Sequence, residues 1–268
     1  PDLVGRGNSD YLQNPMRYDI PTYIMDLLLL IKTLGLTNIA WLGTYLGGIV
    51  GMNIAAIMPG LLQKLILVDI GAEIESVGLA RIAAYSSTRP DFETYESAKQ
   101  YLIEVSSDFG DLPDEVWEYF TRNSVQKNMQ SKYELKRDMN LMKPWLNSAS
   151  VKTDRDNLAP VNTDTVNTDT VGTDSVETES TKTPDSKTPI KENMQMWAEW
   201  TKILIPVLVI RGEHSDILSV DTVNKMKQTN TNMISVEIAN AGHAPFLYNQ
   251  SHFDLLSNFL NLQDARKS

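Results

Sequence analysis

Three side chains in this chain have the types and the order of an acyl-transfer site: Tyr45, Asp216 and His243. Tyr45 is the centre of Gly43-Thr44-Tyr45-Leu46-Gly47. The apolar run Ile39-Ala40-Trp41-Leu42 precedes it, and a second run, Ile49 to Met58, follows and stops at Pro59-Gly60. Strand, Gly-x-Nu-x-Gly, helix is the pattern of a nucleophile elbow, a strained turn that lifts the central side chain above a sheet. Gly43 and Gly47 give the room that a close approach of strand and helix demands. The chemistry asks for Ser, Cys or Asp at the centre, and this chain has Tyr.

A nucleophile of this kind needs a base to take its proton and an acid to fix the tautomer of that base. His243, in Ala241-Gly242-His243-Ala244-Pro245, follows the last apolar run. Asp216 follows the preceding one, so the chain order is nucleophile, acid, histidine. Glu213 is a second candidate for the acid. His214 reads as a surface-loop residue and His252 as part of a closing helix.

Four short apolar runs must position these residues: about 38–42, 64–69, 206–210 and 234–238. Several are continuous rather than alternating, as in strands covered on both faces. Helical patterns separate them, so the expected fold is α/β with a mostly parallel sheet. A helix is expected from Ile20 to Leu34, with Asp19 as N-cap, Pro21 in the first turn and Gly35 as its stop. Residues 73–149 change character. Helices are expected at 74–85, 94–106, 114–123 and 131–142 with no strand between them, and they read as a helical cap. The aromatics of this segment, such as Trp117 and Phe120, fall at helical spacing and read as packing residues rather than a cleft lining. From Val161 the sequence becomes VNTDT, VNTDT, VGTDS, VETES, a decaying five-residue repeat. No aromatic residue and no Leu lies between 161 and 190, so the tract cannot offset an ordering cost of about 1–2 kcal/mol per residue. The expected division is therefore a hydrolase-type core built from 1–72 and 191–268, interrupted by a cap at 73–149 and a disordered insertion at 150–190. A helix is expected at 192–200.

Composition excludes several classes. The chain has no cysteine, which removes disulfides, thiolate nucleophiles and zinc-thiolate sites. The net charge is −10, of which the four Lys/Arg and eight Asp/Glu of 150–190 account for −4. An acidic surface argues against nucleic acid and anionic membrane as partners. No apolar run approaches the roughly 20 residues of a bilayer span. No signal peptide is visible, so the cytoplasm is the expected compartment. The chain opens on Pro1, within what reads as the end of a strand, and is expected to be a fragment of a longer reading frame.

Taken together, residues 2–10, Gly43 to Gly48, Ile205 to Ser219 and Gly242 to Pro245 resemble the α/β-hydrolase superfamily, in its branch of cap-bearing esterases and enol-lactonases. The resemblance reaches nearly everything outside 151–190. It implies no metal, no cofactor, and hydrolysis of a small carboxylic ester, thioester or lactone. Position by position it implies that Tyr45 sits at the nucleophile, the Leu46 N–H is an oxyanion donor, Asp216 is the acid and His243 is the base. It further implies that the first strands and a second oxyanion donor lie upstream of Pro1. The edge of the elbow strand is then open to aggregation or to a separate chain. A phenol has pKa about 10, and its oxygen stands several ångströms beyond a seryl oxygen. A hydrolase-derived chain with lost or very weak covalent ester hydrolysis is therefore expected. A working hydrolase that uses an unusual nucleophile, such as water activated by His243, with its missing half supplied by a separate chain, and a non-enzymatic ligand-binding protein, are the alternatives.

Overall fold

The computed structural model describes the chain apart from residues 87, 89, 146–191 and 262–268. The tract expected to be a disordered insertion lies outside the described residues. In chain order the structure opens with a looped segment and helix α1 (Ile20–Thr33), then β1 (Ile39–Thr44), α2 (Leu46–Ile57) and β2 (Leu62–Val68). The strand β3 (Glu73–Ile74), α3 (Ser76–Ser86), β4 (Asp91–Phe92), α4 (Tyr95–Val105), α5 (Asp114–Ser124), β5 (Val125–Lys127) and β6 (Tyr133–Leu135) follow. After 191 come β7 (Met194–Gln195), a single turn α6 (Trp197–Trp200), β8 (Val207–Gly212), α7 (Val220–Thr229), β9 (Met233–Ile238) and α8 (Gln250–Asn261). Among the described residues, no helix is long and apolar enough to cross a membrane.

The central sheet has the order β1-β2-β8-β9, and every pairing in it is parallel. Its two inner strands are buried almost throughout, and its outer strands alternate in exposure. That is why Leu65 to Val68 and Val207 to Ile210 read as continuous apolar runs. Leu65, Leu67, Val207 and Val209 face one layer, where they pack with Ile49, Val50, Met52, Trp200 and Met226. Ile66, Val68, Leu208 and Ile210 face the other, against Phe259 of α8. The N-cap of α1 is Asp19, whose carboxylate accepts the Thr22 N–H at 2.8 Å, as the sequence indicates.

The turn between β1 and α2 depends on Gly43. A Cβ there would stand 2.2 Å from the Gly47 carbonyl carbon, so no larger residue fits between strand and helix. All four parallel strands end on one edge, with Thr44, Val68, Gly212 and Ile238 as their last residues. The loops that leave this edge carry Tyr45, Asp69, residues 213–219 and residues 239–245.

Two expectations for the segment after β2 and beyond are corrected. Residues 131–142 are not a helix, and the segment does contain strands: β4, β6 and β5 form a three-stranded antiparallel sheet. Its hairpin turns at Asn128, whose side chain accepts the N–H groups of Gln130 and Lys132, with Ser131 at φ 62°. An Asx turn of this kind competes with helix formation and wins once Tyr133 to Leu135 have strands to pair with. The strand direction continues into residues 136–138, which bond the glycine-rich loop through Gly7 N–H to Lys136 O and Asp138 N–H to Gly5 O. Likewise residues 192–200 are not one helix. Met194–Gln195 pairs antiparallel with Glu73–Ile74, and only Trp197–Trp200 is helical.

Candidate functional site

Tyr45 stands at the entrance to α2 with φ 44° and ψ −108°, a backbone conformation that costs a bulky residue of order 1–3 kcal/mol. The turn is held by its N–H, which donates to Val68 O at 3.3 Å, and by its carbonyl, which accepts the Ile49 N–H at 2.9 Å. The side chain is half-buried and packs on the main core. Leu46 opens the helix, so its N–H is among those without an intrahelical acceptor.

His243 lies beside it. The two rings meet edge to face, with centroids 5.2 Å apart and planes 79° apart. The histidine loop is fixed by the turn after α4: Gly242 N–H donates to Asp108 O at 2.7 Å, and Phe246 N–H to Phe109 O at 3.4 Å. Phe246 completes a cluster with Phe109, Trp117 and Phe120, in ring contacts of 5.4–6.3 Å. These aromatics pack together, as their spacing indicates, and in doing so they set the loop that carries His243.

The structure pairs the histidine with a different carboxylate from the one expected. The carboxylate on His243 is Asp69, not Asp216: His243 Nδ1 lies 2.9 Å from Asp69 Oδ2, with the imidazole side chain 7% exposed and the carboxylate fully buried. Asp69 directly follows the buried strand β2, at φ 51°. Its Oδ2 also accepts the Ser215 hydroxyl at 2.7 Å and the Ala244 N–H at 3.3 Å, and its Oδ1 accepts the Gly212 N–H at 2.9 Å. Four donors surround a buried charge, which is the condition for keeping one in a dry interior. With Nδ1 protonated and donating to Asp69, Nε2 of His243 is left as a hydrogen-bond acceptor and so as a base.

Asp216 turns the other way. Arg81 of α3 holds it in a bidentate pair, Nε to Oδ2 at 2.7 Å and Nη2 to Oδ1 at 2.8 Å, and reaches Asp108 Oδ2 through Nη1 at 2.9 Å. The Arg81 hydrogen bonds hold the Asp216 carboxyl below the usual carboxylate range against its partial burial, and the charge of Arg81 acts in the same direction. The residue of this loop that does enter the site is its neighbour, Ser215. Ser215 donates to Asp69 at the strand ends, while the Asp216 carboxylate is held by Arg81 on α3.

The remaining candidates fall away from the site. Glu213 accepts the Asn240 N–H at 2.9 Å and lies 3.8 Å from His214 Nε2, on the exposed rim. His252 accepts the Tyr248 N–H at 3.3 Å and packs on the Tyr248 ring, and burial lowers its proton affinity. Asp69 and Ser215 are the residues missed from the sequence. A signal for Asp69 was present: a lone carboxylate at the end of the continuous apolar run Leu65 to Val68.

No family model matches the chain. Over 262 residues it is 28% identical to 3-hydroxybutyrate-oligomer hydrolase of Cupriavidus necator, covering 97% of this chain and 77% of that protein. The crystal structure of a putative hydrolase from Rickettsia typhi is similar with TM-score 0.77 and 31% identity, over 97% of this chain and 75% of that one. An α/β hydrolase from Novosphingobium aromaticivorans is similar with TM-score 0.74 and 28% identity, over 97% and 78% of the two chains. A parallel sheet with an elbow after its first strand, a histidine loop after its last, and relatives of this similarity place the chain in the α/β-hydrolase family.

Proposed function

We propose that this chain descends from a hydrolase of small carboxylic esters, thioesters or lactones, keeps the Asp69–His243 pair, and has lost acyl-enzyme chemistry at position 45. The observation that carries this is the ring of Tyr45 packed crosswise to the imidazole, with centroids 5.2 Å apart. In the ancestral arrangement His243 would accept a proton from a short hydroxyl at the elbow, and the Leu46 N–H would meet the oxyanion. A tyrosine carries its oxygen past that point and fills the space in front of the base with carbon. Its phenol, near pKa 10 when unperturbed, also holds its proton far more tightly than an imidazole can take it near neutrality. The Cupriavidus necator relative is a hydrolase of 3-hydroxybutyrate oligomers, so short hydroxyacid oligoesters are the first substrate class to test here.

The test compares the unaltered chain with Tyr45→Ser on an activated acetate ester and on a 3-hydroxybutyrate dimer. The expected result is background hydrolysis by the unaltered chain and a gain of at least tenfold in Tyr45→Ser, abolished by adding His243→Ala. No gain in a folded Tyr45→Ser protein would refute the single-residue account.

The intact Asp69–His243 pair favours one second reading, direct activation of water by His243. That reading requires hydrolysis by the unaltered chain that survives Tyr45→Phe and disappears in His243→Ala. A non-enzymatic binding role would instead show as ligand-dependent thermal stabilisation without turnover.

A further inference from the structure

We propose that Arg81 is a positioning residue that reserves His243 for Asp69, by chelating the second carboxylate that the fold brings near the imidazole. Two acids approach this histidine from adjacent strand ends. Asp69 comes from the end of β2 and Asp216 from the loop after β8, one residue beyond the Ser215 hydroxyl that shares Asp69 Oδ2 with His243. The loop brings Asp216 to the same strand-end edge as the dyad, one residue from a donor to Asp69. What turns Asp216 away is the guanidinium. It occupies both carboxylate oxygens, at 2.7 and 2.8 Å, in the fork geometry that suits arginine and not lysine.

The placement of Arg81 is itself fixed by close packing. Helix α3 lies directly on residues 216–217: Glu75 N–H donates to Ile217 O at 3.0 Å, and a Cβ on Gly78 would come within 2.7 Å of Asp216 O. The third nitrogen of Arg81 bonds Asp108, whose carbonyl holds the Gly242 N–H beside His243. One side chain therefore ties together the two loops that support the dyad: Asp216 is one residue from a contact to Asp69, and Asp108 itself holds the histidine loop. Without it, Asp216 and Asp108 would be left as two half-exposed carboxylates facing the same region, each competing for an imidazole.

This inference rests on reading Asp69–His243 as the surviving dyad, but it makes no use of turnover. The measurement is the His243 Nδ1–H resonance and the ring nitrogen shifts in nitrogen-15-labelled protein, assigned with His214→Gln and His252→Gln. The unaltered chain is expected to show a low-field, hydrogen-bonded Nδ1–H, which is lost in Asp69→Asn. In Asp69→Asn/Arg81→Gln the freed Asp216 takes the imidazole and the low-field proton returns. Adding Asp216→Asn removes it again. Asp216→Asn alone leaves the resonance unchanged. The proposal is overturned if the folded double variant stays silent, if Asp216→Asn alone abolishes the signal, or if the unaltered chain lacks it. Should the Arg81→Gln variants fail to fold, Asp69→Asn/Arg81→Lys serves in their place. An ammonium holds one oxygen of Asp216 rather than two, so a partial return is expected and no return overturns the idea. Ester assays on Tyr45→Ser can fail while this signature holds, and the reverse, so the two readings fall separately.

Discussion

Replacing Asp69 by alanine tests the site and the fold in one measurement. Asp69 is fully buried and accepts from Gly212 N–H, the Ser215 hydroxyl, Ala244 N–H and His243 Nδ1–H. Alanine removes every acceptor. The serine hydroxyl can rotate, and the 3.3 Å contact from Ala244 is weak, which leaves the Gly212 and His243 donors stranded in the interior. A buried donor without a partner costs about 1–3 kcal/mol. Two of them give about 2–6 kcal/mol, with no relief of backbone strain because alanine tolerates φ 51° no better than aspartate. Asp216→Ala provides the contrast. Its pair with Arg81 has side chains 31% and 35% exposed, and such pairs are worth at most about 1 kcal/mol. In urea, followed by tryptophan fluorescence, Asp69→Ala should lower the midpoint by about 1–2 M at a slope near 2.5 kcal/mol/M. Asp216→Ala should move it by less than about 0.5 M. Equal losses in the two variants, or a loss below 1 kcal/mol in Asp69→Ala, would refute the reasoning that Asp69 is the buried hub.

Four further outcomes are expected. The Tyr18 phenol is fully buried, donates to Asp138 Oδ2 at 2.5 Å and accepts the Leu12 N–H at 2.8 Å; Tyr18→Phe should cost about 1–3 kcal/mol by urea unfolding. Burial, then the hydrogen bond to Asp138, pushes that phenol up to about 12, and burial with the Glu118 hydrogen bond does the same to Tyr95, so absorbance titration should show a late-ionising group of tyrosines that loses one member in Tyr18→Phe. Asp216 has a carboxyl lowered by folding, so the unfolded chain binds its proton first and the stability from the Arg81 pair is lost as pH falls through the folded value. Between pH 5 and pH 2 the unaltered chain should lose up to about 1 kcal/mol more than Asp216→Asn. Finally, β1 is an outer strand with Ala40, Leu42 and Thr44 exposed, and Leu42 is 47% exposed. Such an edge should drive self-association or capture a separate chain, seen by light scattering and reduced in Leu42→Lys, whereas a monodisperse monomer would contradict it.

The parallel strands were legible because their signals are local. A strand buried on both faces is a continuous apolar run, and Leu65 to Val68 and Val207 to Ile210 are such runs, bounded by turn residues. The elbow was legible because Gly43 has a steric reason that any sequence in this geometry must respect. The small antiparallel sheet was not. Its strands have two or three residues each, too short for a period to register, and Tyr133 to Leu135 are strands only because Val125 to Lys127 and Asp91–Phe92 lie alongside. Pairing partners distant in sequence decided them, and local propensity did not.

The choice of acid was illegible for a different reason, and the reason is instructive about buried charge. In chain order Asp69 and Asp216 are equivalent candidates: each follows a sheet strand and each precedes the histidine. The position after β8 looks the better one because its loop is polar and long enough to turn. Yet a polar loop is where a carboxylate can be content with solvent or a surface cation, as Asp216 is with Arg81. Asp69 has no such freedom. Leu65 to Val68 before it and Ile70 after it are buried, so the chain must carry its charge inside. A carboxylate forced into the interior has to collect donors, and the nearest able to reach it are the loop ends of the neighbouring strands, Gly212, Ser215 and His243 among them. The demand of one buried charge therefore selects the histidine's partner, and the arginine on α3 only has to occupy the competitor.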